Sequence, residues 1–518
     1  MRIVLESPTK ARLLGFDKDS KELTSYLSYT DKKIEFEASR TADTVKKWEG
    51  KSAYYFKQSM GDAVYAERLQ GFKAKLAELK AASKCVALFE DEQGLWTYSG
   101  LADGMAAKFK CPVEIGYKLP GSKALPYTKG KPPRPYQTEA IEALLINSSK
   151  GPCAISLPTG AGKSLVIQEL VKETGLRTLI MVPSVSIARQ LYEGLIEVFT
   201  ARYVGLYGDG KKEFRKQIVV GIDDSLAKVG PDHVAYEYLS AVDTFIVDES
   251  HLVASNTLSK VALELCAKAS YRFFVSATQM RNDGLDIVLE GITGPVVYTK
   301  TLRELVDEGY LAKPVFKMVV VPSCTTLDTK DAGAMSRAHL FYNPHVYEKA
   351  AEIANNFVEH MKKPVVILIE ELEQFKKLQK HLRGKFSFAH GPLTKETKKL
   401  VPAEFHNTNS KDLVAQFNKG EIEILVGTSC IATGTDILVA EAGIYLMGGK
   451  SEIKIKQGLG RGTRGGPKGT VYNPWTGKQK LTYIHVDFDV EDGLTVHRHA
   501  EARYKLYTET YAEPAKVR

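Results

Sequence analysis

Short apolar runs alternate with stretches of helical periodicity from about residue 135 onward. Nine of these runs predict β-strands: "TLIMVPS" (178–184), "QIVVGI" (217–222), "TFIVDES" (244–250), "RFFVSAT" (272–278), "PVVILIE" (364–370), "FSFAH" (386–390), "EILVGTS" (423–429), "GIYLMGG" (443–449) and "TYIHVDF" (482–488). Continuously apolar strands belong to parallel sheets, because helices cover both faces of such a sheet. The runs fall into two series, so the pattern predicts an α/β protein with two tandem, doubly wound parallel-sheet lobes.

The N-terminal part of the chain has a different pattern. The runs "RIVLES" and "KKIEFEAS" predict strands, "DAVYAERLQGFKAKLAELKAA" predicts a helix, and "KCVALFEDEQGLWTYSG" predicts a hairpin around "DEQG". A segment rich in Pro, Gly and Lys follows at 119–135, as is typical of a linker. We predict a small α/β or α+β accessory domain at residues 1–120 and a linker at 121–135. The first lobe follows at 136–310, and the second lobe, with a closing helix, at 311–518.

The composition is that of a globular protein of about three domains. Of 518 residues, 44% are hydrophobic and 26% are charged, and the formal net charge is +9. This charge permits a polyanionic partner but equally fits a mildly basic enzyme. The chain shows no signal peptide and no run approaching the ~18 apolar residues of a membrane span, and its six cysteines are scattered singly. We expect a cytoplasmic protein without a zinc site, with His497 and His499 as exposed helix residues.

The stretch "PTGAGKS" (158–164) joins a predicted strand to a predicted helix. Glycines let backbone N–H groups surround phosphate oxygens, and the helix N-terminus adds positive potential. Lys163 would bridge the terminal phosphates, and Ser164 would hold Mg²⁺. Leu157 stands where the usual pattern has its first glycine, and the alternative interpretation is a glycine turn that only caps a helix. The predicted phosphate-binding residues are Pro158, Thr159, Gly160, Ala161, Gly162, Lys163 and Ser164.

An acidic pair follows the apolar strand of "TFIVDESH". Carboxylates at the end of a buried strand are costly unless a cation or water accompanies them. Asp248 could hold Mg²⁺ through water, and Glu249 could take the proton from an attacking water. The alternative is a strand end that caps the next helix.

Five motifs in this order resemble those of superfamily 2 helicases. They are "RPYQTEAI" (134–141), "PSVSIARQ" (183–190), "SAT" (276–278), "GTSCIATGTDI" (427–437) and "QGLGRGTR" (457–464). The resemblance implies two RecA-like lobes that use ATP and Mg²⁺. It further implies that Gln137, with Arg134, recognises adenine and that Gly434 and Asp436 lie near the nucleotide sugar. The residues to which it assigns a coupling role are His251, Ser276 and Thr278.

The two arginines of "QGLGRGTR" fit the same chemistry. A guanidinium accelerates phosphoryl transfer when it reaches the charge that develops on the transferred group. The spacing of three predicts that Arg461 and Arg464 lie on one face of a helix, where lobe closure would bring them to the nucleotide. By resemblance, Arg464 is the arginine finger, Arg461 contacts the γ-phosphate side and Gln457 places the water. The alternative is a basic loop on a basic protein.

The resemblance also implies a nucleic-acid track across both lobes. Ser184, Arg189 and Thr428 would contact backbone phosphates, which suits groups that ignore base sequence. Helix capping is the alternative for these polar residues. Asp223 and Asp224 stand where the family has a further backbone contact, but carboxylates beside phosphate are unfavourable, so neither is assigned.

Further stretches resemble the UvsW-type phage branch-migration helicases and their XPB-like relatives. These are "DESH", "YGDGKKEFRKQIVVGIDDSL", "LVDEGYLAKP" and "GGKSEIKIKQGLGRGTR". The resemblance implies a DNA-dependent ATPase, favoured as a monomer, that remodels branched DNA such as forks and junctions, with recombination or replication proteins as possible partners. The alternatives are a duplex-DNA translocase subunit of a restriction system, an RNA helicase and a nucleotide-gated scaffold without activity. The motifs "DEAD" and "HRxGRxxR", which would indicate a DEAD-box RNA helicase, are absent from the sequence.

The N-terminal domain is the expected source of substrate choice. Residues 1–130 contain 22 Lys and Arg against 17 Asp and Glu, so they carry +5 of the +9. Aromatic side chains can stack on exposed bases, although they more often belong to a core. The candidates are Tyr54, Tyr55, Phe56, Trp96 and Tyr98.

Overall fold

A computed structural model describes residues 1–50, 52–128, 130–253, 255–277, 284–329, 331–428, 431 and 437–517, with the backbone alone at 256, 257, 453, 454 and 457. The chain forms two compact units. The first comprises Met1–Ser156, Ile167–Pro183 and Leu195–Tyr298, and the second comprises Leu157–Val166, Ser184–Gly194 and Thr299–Arg518. The domain limits drawn from the sequence stay predictions.

The N-terminal region combines a mixed sheet with a long helical excursion. Its elements are β1 Arg2–Ser7, β2 Lys10–Leu14, α1 Lys21–Tyr26, β3 Ser28–Thr30, α2 Lys32–Glu49, α3 Ala53–Met60, α4 Asp62–Ala82, β4 Lys84–Val86, β5 Phe89–Asp91, β6 Gly94–Tyr98, α5 Ala102–Phe109 and β7 Val113–Ile115. The sheet order is β5-β6-β2-β1-β7. The predicted hairpin is confirmed as β5–β6. The strand predicted for "KKIEFEAS" is wrong, because these residues begin α2.

An eight-stranded sheet follows in the order β11-β10-β12-β9-β13-β14-β8-β15. The elements of this part are α6 Pro135–Asn147, β8 Cys153–Ser156, α7 Lys163–Thr174, β9 Thr178–Val182, α8 Val185–Tyr203, β10 Val204–Gly208, β11 Lys211–Lys212, β12 Ile218–Ile222, α9 Asp223–Leu226, α10 Tyr236–Leu239, β13 Thr244–Asp248, α11 Asn256–Lys260, β14 Tyr271–Ser276, α12 Asp286–Thr293 and β15 Val296–Thr299. The strands from β10 to β8 in this order pair in parallel, as the continuous apolar runs predicted.

A seven-stranded sheet in the order β18-β19-β17-β20-β21-β16-β22 forms the second unit's core. The elements are α13 Leu302–Asp307, β16 Lys313–Pro322, α14 Ala332–Ser336, α15 Pro344–Glu359, β17 Val365–Ile369, α16 Glu373–Leu378, β18 Phe386–Ala389, α17 Ser410–Lys419, β19 Ile424–Gly427, β20 Ala442–Leu446, α18 Glu452–Gly462, β21 Thr482–Glu491, α19 Thr495–Thr510 and β22 Ala515–Val517. Its neighbouring strands are parallel. The predicted α/β class with parallel-sheet lobes is confirmed.

The N-terminal region packs closely on α12 within the first unit. A Cβ placed on Gly100 would lie 2.7 Å from the carbonyl oxygen of Gly291 and 2.7 Å from the amide nitrogen of Gly294. A Cβ on Gly291 would lie 2.6 Å from Cδ2 of Tyr98. Only glycines allow backbones to approach this closely, so the two surfaces are fitted to each other.

Residues 121–128 and 130–134 of the predicted linker lie along the first unit without forming a helix or strand, and Pro135 begins α6. The Lys123 amide donates to the Thr174 carbonyl at 2.9 Å, and the Thr128 amide donates to the Val198 carbonyl at 2.8 Å. The segment is thereby fixed to the ends of α7 and α8. Within the described ranges, no helix is long and apolar enough to cross a bilayer.

Candidate active site

The carboxyl ends of three neighbouring parallel strands lie side by side in the eight-stranded sheet. β14 lies between β8 and β13, and its register aligns Ser276 with Ser156 and Val275 with Asp248. The predicted phosphate loop begins directly after Ser156, and the acidic pair stands at the end of β13. This is the edge at which open α/β sheets bind their ligands.

The acidic pair has an unusual backbone. Asp248 is 9% exposed, and its Oδ1 accepts the Glu249 amide at 3.0 Å. Glu249 adopts φ +55° and ψ +46°, a left-handed conformation that is uncommon for a residue with a side chain. Its side chain makes no capping hydrogen bond to the 3₁₀ turn Ser250–Leu252 that follows. Strain of this kind, on the order of 1–3 kcal/mol, concentrates at functional sites, so the geometry favours a chemical role over simple capping.

His251 connects the acidic pair to the next strand. Its Nδ1 lies 2.9 Å from Oγ of Ser276 and 3.5 Å from Oε2 of Glu249. Both His251 and Ser276 are buried. A movement of β14 would therefore reach the Glu249 carboxylate through one imidazole ring, which fits the coupling role predicted for these residues.

The phosphate loop has the backbone that its glycines predicted. Gly160 has φ +90° and Gly162 has φ +80°, conformations that side-chain-bearing residues rarely adopt. Lys163 begins α7, and Ser164 is exposed beside it. Exposed glycine backbone at a helix N-terminus, with a hydroxyl and a lysine, fits a nucleotide phosphate.

The predicted magnesium ion needs few ligands from the chain. They contain no cluster of three or more His, Cys, Asp or Glu side chains. Mg²⁺ in nucleotide sites needs only one or two carboxylates, with phosphates and water completing its shell. Ser164 carries a hydroxyl and Asp248 a carboxylate, which are oxygen ligands of the types that Mg²⁺ takes, and the metal roles of both residues stay predictions.

In the second unit, the phosphate loop packs against α18. A Cβ on Gly160 would lie 2.8 Å from the Gly460 carbonyl oxygen and 3.3 Å from Cγ of Arg464, and a Cβ on Gly460 would lie 2.7 Å from the Thr159 carbonyl oxygen. The predicted phosphate loop and the predicted arginine segment are therefore in direct contact.

The prediction that both arginines share a helical face is wrong. Arg461 lies in the last turn of α18, but the helix ends at Gly462 and Thr463 is its C-cap. Arg464 lies beyond the helix, in an isolated β-bridge with Leu311. The two guanidiniums therefore start from different backbone segments.

The predicted adenine reader also has a structural role. Gln137 is buried, and its Oε1 accepts the Arg134 amide at 2.8 Å, which caps α6. Nη1 of Arg134 donates to the Tyr136 hydroxyl at 3.3 Å. Its predicted role in adenine recognition stays a prediction.

The predicted track residues lie at element ends. Oγ of Ser184 accepts the Ile187 amide at 3.4 Å, so the capping alternative applies to this serine. Arg189 is exposed on α8, and Thr428 directly follows β19. Asp223 begins α9, and burial raises the pKa of its carboxyl.

Four predicted residues fall outside what the structure describes. Thr278, Gly434 and Asp436 lie outside the described ranges, as does the side chain of Gln457. Their roles stay predictions. His497 and His499, predicted to be exposed, are instead partly buried, and Nδ1 of His497 lies 2.7 Å from Asp489.

Two buried contacts beside these motifs were not predicted. Nζ of Lys480 donates to the Leu438 carbonyl at 2.8 Å, just after the "GTSCIATGTDI" segment. Arg503, which pairs with Asp487 at 2.7 and 3.1 Å, donates to the Gly449 carbonyl at 2.7 Å, just before α18. Lys480 and Leu438 are 42 positions apart, and Arg503 and Gly449 are 54 apart, so no local pattern signals these contacts.

Comparison with known proteins supports the motif assignment. Residues 130–281 match the family model described as Type III restriction enzyme, res subunit. The DNA 3'-5' translocase XPB2 of Sulfurisphaera tokodaii is 26% identical over 376 residues, which cover 67% of this chain and 82% of that protein. Six further curated relatives are 22–26% identical, and the match spans only 50–61% of their length.

Two solved structures extend the comparison. A fragment assigned to an HsdR subunit of a type I restriction enzyme from Vibrio vulnificus has a TM-score of 0.52 at 17% identity, with 75% of this chain and 68% of that chain covered. This likeness supports the fold. T4 UvsW covers 100% of this chain and 99% of its own, but at a TM-score of 0.41 and 15% identity it does not support a choice of branch. The ordered motifs, the matched family model and the relatives together support the resemblance of this chain to superfamily 2 helicases.

Proposed function

We propose that the protein is an ATP-dependent DNA helicase or translocase that remodels branched DNA and couples hydrolysis to lobe closure. The observation that carries the proposal is the strand-end cluster of Asp248, Glu249, His251 and Ser276, in which Glu249 has a strained backbone and its carboxylate contacts His251. Among the relatives, most are named as DNA 3'-5' helicases or translocases.

The residues divide the chemistry among them. Bound Mg·ATP supplies the phosphoryl group that water attacks. Glu249 would accept the proton of that water, and Asp248 with Ser164 would hold Mg²⁺. Lys163 and the loop amides neutralise the phosphates. Arg461 and Arg464 stabilise the charge that develops on the transferred group.

The choice of branched DNA depends on the motif resemblance alone. The second candidate is a duplex-DNA translocase, which the match to a restriction subunit favours. One relative is named an ATP-dependent RNA helicase, so RNA belongs among the tested substrates.

The experiment is a steady-state ATPase assay with single-stranded DNA, blunt duplex, a four-way junction and single-stranded RNA. Salt is fixed and low, because phosphate contacts make affinity steeply salt-dependent. Strongest stimulation by the junction supports branch migration. Equal stimulation by duplex and junction supports the translocase, and stimulation by RNA alone overturns the DNA assignment.

Glu249→Gln is the matched variant for the mechanism. The amide keeps the side-chain volume but cannot take a proton, and general base catalysis contributes about 10²–10⁴-fold. We expect hydrolysis to fall by at least about 100-fold while affinity for a fluorescent ATP analogue changes little. Hydrolysis at the wild-type rate would show that another group is the base.

A further inference from the structure

The helices α2, α3 and α4 form an arm that leaves and re-enters the N-terminal domain at one place. β3 precedes the arm, β4 follows it, and the two strands pair antiparallel, with Thr30 opposite Lys84 and Ser28 opposite Val86. The 18 residues of α2 span ~27 Å at the usual helical rise. The short helix α3, between the two long helices, is therefore the tip of the arm.

Aromatic side chains hold this tip from inside. The rings of Trp48 and Phe56 stack at 4.7 Å, and Trp48 also contacts Tyr65 and Phe72 at 5.7 and 5.2 Å. The Tyr65 hydroxyl donates to the Trp48 carbonyl at 2.6 Å. Phe56 thus fixes α3 against Trp48 of α2, which itself contacts α4, so α3 has a defined orientation.

The two residues before Phe56 are tyrosines that α3 presents to solvent. Tyr54 is 64% exposed and Tyr55 is 72% exposed, with ring centroids 5.8 Å apart in an edge-to-face arrangement. Trp96 and Tyr98, the other aromatic candidates, are partly buried: Trp96 stacks on Phe89 at 4.4 Å, and Tyr98 meets α12. The structure thereby separates Tyr54 and Tyr55 from the aromatic residues of the core.

The charges around the tip favour a polyanion. Residues 32–82 carry 11 Lys and Arg against 7 Asp and Glu, so +4. Lys46 and Lys47 are exposed in the last turn of α2, and the side chain of Lys57 on α3 is 50% exposed, with its Nζ 3.7 Å from Oδ1 of Asp62. Aromatic faces beside lysines are the combination that binds single-stranded nucleic acid, with bases on the rings and phosphates on the ammonium groups.

We propose that the tip of the arm binds unpaired bases of single-stranded DNA, which stack on Tyr54 and Tyr55. The inference deepens the proposed function, since it assigns a place where a helicase would hold a separated strand. Its test does not need ATP hydrolysis. Binding therefore remains measurable in Glu249→Gln, and failure of the inference can be distinguished from failure of the proposed function.

The experiment measures affinity for a fluorescein-labelled dT oligonucleotide, a fork and a blunt duplex at fixed salt. Each stacked base contributes about 1–3 kcal/mol. We expect Tyr54→Ala/Tyr55→Ala to weaken binding of the oligonucleotide and the fork by at least about 10-fold, with duplex affinity unchanged. Tyr54→Phe/Tyr55→Phe should retain most of the affinity, because the rings remain. Phe36→Ala is the matched control, since Phe36 is 66% exposed near the base of the arm.

A stacking readout completes the test. The fluorescence of a 2-aminopurine base in the oligonucleotide should be quenched when the oligonucleotide binds wild type or the Phe variant, but not when it binds the Ala variant. Unchanged strand affinity in the Ala variant overturns the proposal, as does an equal loss in Phe36→Ala. If the Ala variant loses duplex affinity to the same extent, the tip is a general phosphate contact and the proposal is overturned. If the Ala variant changes its oligomeric state but not its strand affinity, the tip is a protein interface and the proposal is also overturned.

Discussion

Lys480 shows how one buried residue can set a pH dependence. Its side chain is fully buried, and burial lowers its pKa from 10.5 to about 7, with Arg464 and Lys363 also lowering it and Glu441 opposing them. The unfolded chain, with the ordinary lysine pKa, holds one proton more than the folded chain between these values. Stability contributed by this site therefore rises with pH from about 7 to about 10.5, and it is constant below about 7.

We predict that Lys480→Met removes this pH dependence. Relative to the variant, the free energy of unfolding of wild type should rise between pH 7 and 9.5 by at most about 1.4 kcal/mol per pH unit. Urea denaturation of both proteins across this range measures the difference. Lys478→Met, at an exposed position two residues away, should behave as wild type. A difference that does not vary with pH would contradict the shifted pKa.

At the scale of elements, the contact between the phosphate loop and α18 depends on two glycines. Glycine inside a helix normally costs about 0.5–1 kcal/mol relative to alanine. Gly460 nevertheless lies in the last turns of α18, where an added Cβ would come within 2.7 Å of the Thr159 carbonyl oxygen. The close approach of two backbones explains why a residue unfavourable for helices occupies this position.

We predict that Gly460→Ala keeps the fold but lowers ATPase activity by at least about 10-fold, because the loop or the helix must shift. Gly458→Ala is the matched control in the same helix, since its Cβ would meet only Cδ1 of Leu368 at 3.6 Å. Steady-state ATPase rates and melting temperatures of both variants measure the effect. Equal activity of the two variants would show that the contact is not needed for hydrolysis.

Over the whole molecule, the N-terminal domain is held on α12 by close backbone contacts at Gly100. A Cβ there would meet the carbonyl oxygens of Glu290 and Gly291 and the amide of Gly294, none of which can rotate away. The base of the arm is thus fixed relative to the eight-stranded sheet within the first unit.

We predict that Gly100→Ala loosens this docking. Hydrogen exchange of β1 and β2 should become at least about 10-fold faster, while the seven-stranded sheet is unchanged, because local opening needs only the lost contacts. Exchange detected by mass spectrometry gives the comparison. Gly71→Ala is the control, since a Cβ at Gly71 meets nothing within 4 Å. Identical exchange in the two variants would contradict tight docking.

The sequence by itself determined the features that short segments carry. The nine apolar runs became strands because their pattern reflects burial on both faces of a sheet. The loop at 158–164 adopted its predicted turn because only glycine takes positive φ at low cost. The prediction for "KKIEFEAS" was wrong because its alternation over a few residues imitates a strand. The helix α2 instead buries Ala38 and Val45, which lie seven positions apart on one helical face.

Only the tertiary structure decided which distant residues meet. No local sequence signal marks the end of α18 before Arg464 or the burial of Lys480 at the Leu438 carbonyl. Nor does one explain why Tyr98 packs against α12 whereas Tyr54 and Tyr55 are exposed. Each depends on a contact between residues far apart in the chain. The free energy of such a contact comes from close packing and from hydrogen bonds to groups that the chain brings together only on folding.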